Sequence, residues 1–64
     1  MRKNLKKFRI DKGLKSKDMA QLLGVTNSYY SRFENGKVDP SYGFMEKFGE
    51  LFKYDDIWEL FKKY

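Results

Sequence analysis

Four polar residues, Asn27, Ser28, Ser31 and Arg32, are spaced i, i+1, i+4 and i+5, so on a helix they share one face. Their chemistry is that of edge recognition. An Asn amide pairs with adenine N6 and N7, an Arg fork with guanine O6 and N7, and a Ser hydroxyl with either. Each good bidentate pair contributes about 1 to 3 kcal/mol of discrimination. Tyr29 lies between this face and its neighbour, within reach of a sugar, a phosphate or a thymine methyl. Candidate phosphate contacts flank the four on both sides. Lys15, Ser16 and Lys17 come with the free N–H groups of a helix start, followed by Thr26, and beyond the face come Asn35 and Lys37.

Other chemistries are poorly served. The 64 residues include no His and no Cys, which removes the commonest general base and metal ligand together with disulfide and thiolate scaffolds. Glu46, Glu50, Asp55, Asp56 and Glu59 are explained by helix capping and surface i,i+4 spacing. There is no Gly-rich phosphate cradle. The expectation is a protein that is not an enzyme and has no cofactor, no metal and no small-molecule substrate.

Charge points the same way. The net charge is +5, but residues 1–37 carry +7 and residues 38–64 carry −2, a basic half suited to a polyanion joined to a mildly acidic half. No apolar run exceeds two residues, so neither a membrane span nor a signal peptide is expected, and the default compartment is the cytoplasm. Basic residues gather on the groove-facing side rather than around an apolar face, which argues against a membrane-surface role. Lys3, Lys6, Lys7 and Lys12 read as a diffuse field.

These side chains need short helices to hold them. A chain of this length reads as one domain, 1–64, with a small core that its 19% aromatic residues must fill. Residues 2–12 place Leu5 and Phe8 on one side before Gly13, which ends a first helix. A second begins at Ser16 as N-cap, has Asp18 in its first turn, and carries Met19, Ala20 and Leu23 inward before Gly24. Thr26 caps a third, in which Tyr30 and Phe33 face the core and thereby turn Asn27, Ser28, Ser31 and Arg32 outward. In Asp39-Pro40-Ser41 either Asp39 or Ser41 caps a fourth helix, to about Lys53, with Phe44, Phe48, Leu51 and Phe52 inward. Asp56 to Glu59 forms a D-x-x-E capping box for a fifth, with Ile57, Leu60 and Phe61 on its core side. The second and third, joined by Gly24-Val25-Thr26 with the small Ala20 at their crossing, make a helix-turn-helix.

On Gly13-Leu14, Met19-Ala20, Gly24-Val25-Thr26, Ser31-Arg32-Phe33-Glu34-Asn35-Gly36-Lys37 and Pro40-Ser41, the chain resembles the Cro and phage-repressor type of helix-turn-helix proteins, the xenobiotic-response-element family. The resemblance implies an all-α, compact five-helix bundle of the lambda-repressor-like kind, with the third helix in the major groove of double-stranded DNA and a role in transcription, as a repressor of phage or mobile-element type. It also implies a partly buried Arg9–Glu34 pair whose spare Arg9 donors reach a phosphate. Lys15-Ser16 replaces the usual Thr-Gln pair, Tyr30 a usual aliphatic and Met19 a usual Leu. Surplus aromatic surface at Trp58, Phe61 and Tyr64 suggests a homodimer interface on the last helix, and with it a palindromic operator. The alternative is a protein–protein interaction module, antitoxin-like or a co-regulator, that retains the fold.

Overall fold

Helices α1 (Lys3–Asp11), α2 (Ser16–Leu23), α3 (Asn27–Glu34), α4 (Tyr42–Phe52) and α5 (Ile57–Leu60) follow one another in a computed structural model that describes residues 1–63, with no strand among them. The stops are written in backbone geometry. Gly24 and Gly36 adopt φ of +72° and +80°, a left-handed conformation that L side chains resist. Each closes a double hydrogen-bonded cap. The N–H of Val25 donates to the Ala20 carbonyl (3.0 Å) and that of Gly24 to Gln21 (3.2 Å). Likewise the N–H of Lys37 donates to Arg32 (2.8 Å) and that of Gly36 to Phe33 (3.0 Å). The chain therefore leaves α2 and α3 in fixed directions. α4 ends the same way on a residue that has a Cβ, Lys53 at φ +51°, with the Tyr54 N–H donating to Gly49 at 3.1 Å.

Hydroxyls start two of the helices. Thr26 Oγ1 accepts from the Tyr29 N–H at 3.0 Å, and Ser41 Oγ accepts from Phe44 at 3.1 Å, so Ser41 rather than Asp39 caps α4. At α2 the N-cap is Lys15, not the expected Ser16, which is the first helical residue. The Asp18 carboxylate accepts from the Lys15 N–H at 3.0 Å, anchoring the start from within the helix. At α5 the Asp56 carboxylate accepts from the Glu59 N–H at 3.3 Å.

Aromatic rings fill the core. Phe33 of α3 meets Phe44 and Phe61 edge-on with centroids 5.0 Å away, and Phe48 meets Phe61 at 5.1 Å. Leu5, Met19, Ala20, Leu23, Tyr30 and Leu60 complete the buried apolar and aromatic set among the described residues. One ambiguity is resolved and one expectation fails here. Phe61, expected both on the core side of α5 and at a dimer surface, is a core residue at 7% exposure, and Leu51, expected inward, is 43% exposed because Phe52 and Phe48 take that side of α4. Gly49 lets the loop after α4 fold back closely, since a Cβ there would come 3.4 Å from the Tyr54 carbonyl. Among the described residues no helix is long and apolar enough to cross a membrane.

Candidate nucleic-acid interface

Two turns of α3 are sorted by depth. Tyr30, Phe33 and Glu34 are buried, whereas Asn27, Ser28, Ser31 and Arg32 are all exposed. Burial of the first set in the aromatic core sets the helix's rotation, and so presents the second set together on the opposite side. Tyr29 differs from the four. It is half-buried, with its ring 6.1 Å from that of Phe44, so it borders the exposed face rather than standing on it.

The flanking donors are placed by the caps. Lys15 and Lys17 are exposed at the start of α2, with Ser16 half-buried between them. Thr26 is exposed. Its oxygen is committed to the Tyr29 N–H, which leaves its own O–H free to donate. Asn35 and Lys37 are exposed on either side of Gly36, in the tight turn that ends α3. Lys15, Lys17, Arg32 and Lys37 thus bracket the α2–α3 unit with cationic donors.

Behind the helix, Arg9 of α1 and Glu34 form a bidentate pair. Nε donates to Oε2 at 2.9 Å and Nη2 to Oε1 at 3.2 Å, while Nη1 donates to the Leu14 carbonyl at 2.9 Å. Hydrogen bonding to Glu34 raises the Arg9 pKa above its ordinary value. With its side chain 12% exposed, Arg9 faces inward and joins the loop before α2 to the end of α3, so its geometry is that of a structural tie. Tyr30 lies against this pair. Its hydroxyl is enclosed without a hydrogen-bond partner, and burial, with the Glu34 charge adding to it, pushes its pKa well above the ordinary tyrosine value.

Arg2, unremarked in the sequence, is 1% exposed. Its Nη1 donates to the carbonyls of Phe33 and Val38, its Nε to that of Phe61 at 3.1 Å, and its backbone N–H to that of Glu34 at 2.8 Å. The guanidinium stacks 4.4 Å above the Phe33 ring. Nη2 approaches Asp39 at 3.4 Å, and that exposed carboxylate is held mainly by Lys63 at 2.7 Å. Burial lowers the Arg2 pKa, and the Lys63 hydrogen bond lowers that of Asp39. One signal was available for Arg2. Every described Lys is exposed, whereas Arg2 and Arg9 turn inward, so an Arg in a lysine-rich segment marks a position needing a planar fork.

Of the three residues expected at a dimer surface, Trp58 is 77% exposed. It edges a groove of about 270 Å³ formed with Pro40, Met45 and Lys63. Phe61 belongs to the core, and Tyr64 lies outside the described residues.

A family model described as helix-turn-helix matches residues 5–58. A Bacillus subtilis (strain 168) protein, described as the uncharacterized HTH-type transcriptional regulator YqaF, is 38% identical over 61 residues, covering 95% of this chain and 78% of its own length. No solved structure matches the chain significantly.

Proposed function

The chain belongs to the helix-turn-helix family, of the Cro and phage-repressor type, and is a DNA-binding transcriptional regulator; on that premise we propose that α3 reads a specific duplex sequence in the major groove. The observation that carries this reading is the exposed row Asn27, Ser28, Ser31 and Arg32 on a helix whose other side is locked into the core. Arg32 and Asn27 are the bidentate readers, with Ser28 and Ser31 beside them and Tyr29 at the edge. Lys15, Ser16, Lys17, Thr26, Asn35 and Lys37 engage phosphates and set the register.

The reading continues to a homodimer on an approximately palindromic operator. The domain measures about 24 Å across, so two copies, and not one, present recognition helices about 34 Å apart, one DNA turn. The exposed Trp58 belongs to the mildly acidic half of the chain and offers a large apolar ring beside a groove formed with Pro40 and Met45, the kind of surface a second copy can cover. Repression follows from occupancy alone, because a domain that fills a groove excludes other proteins from it. The site is cytoplasmic and involves no catalytic step.

Selection of bound sequences from a random duplex pool tests the reading. It should enrich two inverted half-sites one turn apart; a pool that stays random contradicts sequence reading. Replacement of Trp58 by Glu should weaken self-association in analytical ultracentrifugation with the helical circular dichroism intact, and unchanged association would remove Trp58 from the interface.

A further inference from the structure

The turn that ends α3 is held from behind by one side chain. Phe33 and Val38 are the residues on either side of the Glu34–Lys37 segment, and a single nitrogen of Arg2 donates to both carbonyls. The Arg2 backbone N–H adds a third bond, to the Glu34 carbonyl at 2.8 Å, inside the same segment. Nε then fastens the group to the Phe61 carbonyl just after α5. The two ends and one interior carbonyl of the turn therefore share one anchor. The segment so clamped carries Asn35 and Lys37, both exposed.

We propose that Arg2 is a positioning residue for DNA binding: it clamps the Phe33–Val38 turn so that Lys37, with Asn35, is aimed at a phosphate. This rests on the assignment of Lys37 as a phosphate contact. A phosphate contact gains from an exposed lysine only as far as its backbone is held in place, because a freely moving ammonium loses entropy on binding that a positioned one has already lost. The cap at Gly36 sets the direction of the turn, and the Arg2 clamp holds the turn against the core. The left-handed φ of Gly36 shapes the turn but adds no side chain to pack, and a Cβ placed there would meet the Met1 backbone at 3.4 Å, beside Arg2 itself. A lysine at position 2 would keep the charge and the stem but lack the planar fork that reaches Phe33, Val38 and Phe61 together.

The experiment is a double-mutant cycle read as the salt dependence of DNA affinity, using the full chain, wild type and the Arg2→Lys variant, each with and without Lys37→Ala. Arg2→Met serves as a second background, and trimethylamine N-oxide is added to all samples if circular dichroism shows that a variant needs it to fold. In the wild type, Lys37→Ala should lower the log–log salt slope by about 0.9 per protomer, the loss of one phosphate contact. In the Arg2→Lys and Arg2→Met backgrounds the same substitution should change the slope by close to zero, since the contact is already lost. A purely structural Arg2 leaves the decrement at about 0.9 in every folded background, and that result overturns the proposal while sparing the DNA reading. A Lys37→Ala without effect in the wild type overturns the phosphate role of Lys37 and the proposal with it.

Discussion

Two arginines turned inward, Arg2 buried and Arg9 partly so, hold the C-terminal end of α3, and their chief partners differ in kind. Arg9 meets the Glu34 carboxylate, which raises its pKa, while Arg2 meets backbone carbonyls, and burial lowers its pKa. The first arrangement is a pair of side chains. The second is a side chain serving the main chain. A charge pair can be removed whole, leaving an apolar contact of similar shape, because its desolvation cost disappears along with its attraction. Carbonyls cannot be removed, so the loss of their donor leaves polar groups without partners. The end of the recognition helix is thus tied once by an exchangeable device and once by one that no second substitution replaces.

The largest effect should come from Arg2. Arg2→Met keeps the apolar stem but orphans the Val38 and Phe61 acceptors, and it should lower unfolding free energy in urea by about 3 to 5 kcal/mol. No partner substitution should restore it. Recovery of most of the loss by Asp39→Leu would show that the exposed carboxylate, and not the carbonyls, is the partner that matters.

Next in size is the Arg9–Glu34 pair. Glu34→Leu alone strands a largely buried guanidinium and should cost about 2 to 4 kcal/mol. Combined with Arg9→Met it should recover to within about 1 kcal/mol of the wild type. Additive losses in the urea cycle would mean that Arg9, like Arg2, works chiefly through a carbonyl, that of Leu14.

Smallest at neutral pH, and visible mainly in base, is Tyr30. Its folded pKa is raised above the unfolded value of about 10, so the unfolded chain releases a proton that the folded one keeps. Stability is unaffected below pH 10 and falls above it by up to about 1.4 kcal/mol per pH unit. Tyr30→Phe should remove that component of the alkaline slope and change stability little at pH 7, because the hydroxyl it deletes has no partner. Identical slopes for the two proteins in urea titrations between pH 9 and 11.5 would show that the hydroxyl ionises within the fold.

The difference between the two arginines also explains what was legible in the sequence. The face of α3 was readable because Tyr30 and Phe33 are the large apolar residues of that segment, and their burial fixes where Asn27 and Arg32 point. Arg9 was reachable through the resemblance, since its partner is a side chain with a recognisable place in the motif. Arg2 was not, because its side-chain acceptors are backbone carbonyls 31 to 59 residues away, and any residue type supplies a carbonyl. Capping was legible by rule but not by choice. Asp39 and Ser41 both fit the start of α4, and tertiary pairing of Asp39 with Lys63 and Arg2 leaves the cap to Ser41. Phe61 was ambiguous for a similar reason. α5 is a single turn, too short for periodicity to separate its core side from its rim, and Phe33 and Phe48 draw Phe61 inward.

The third arginine carries the central claim, for Arg32 is the one turned outward, on the face that Arg2 and Arg9 hold steady from behind. The direct measurement compares the affinities of the wild type, Arg32→Ala and Lys37→Ala for a selected specific duplex and for an unrelated one at the same salt concentration. Arg32→Ala should weaken specific binding by about 1 to 3 kcal/mol, relax preference at one base position and leave nonspecific binding nearly unchanged, whereas Lys37→Ala should weaken both duplexes alike. Equal losses on the two duplexes from Arg32→Ala would contradict the assignment of α3 as the reading helix.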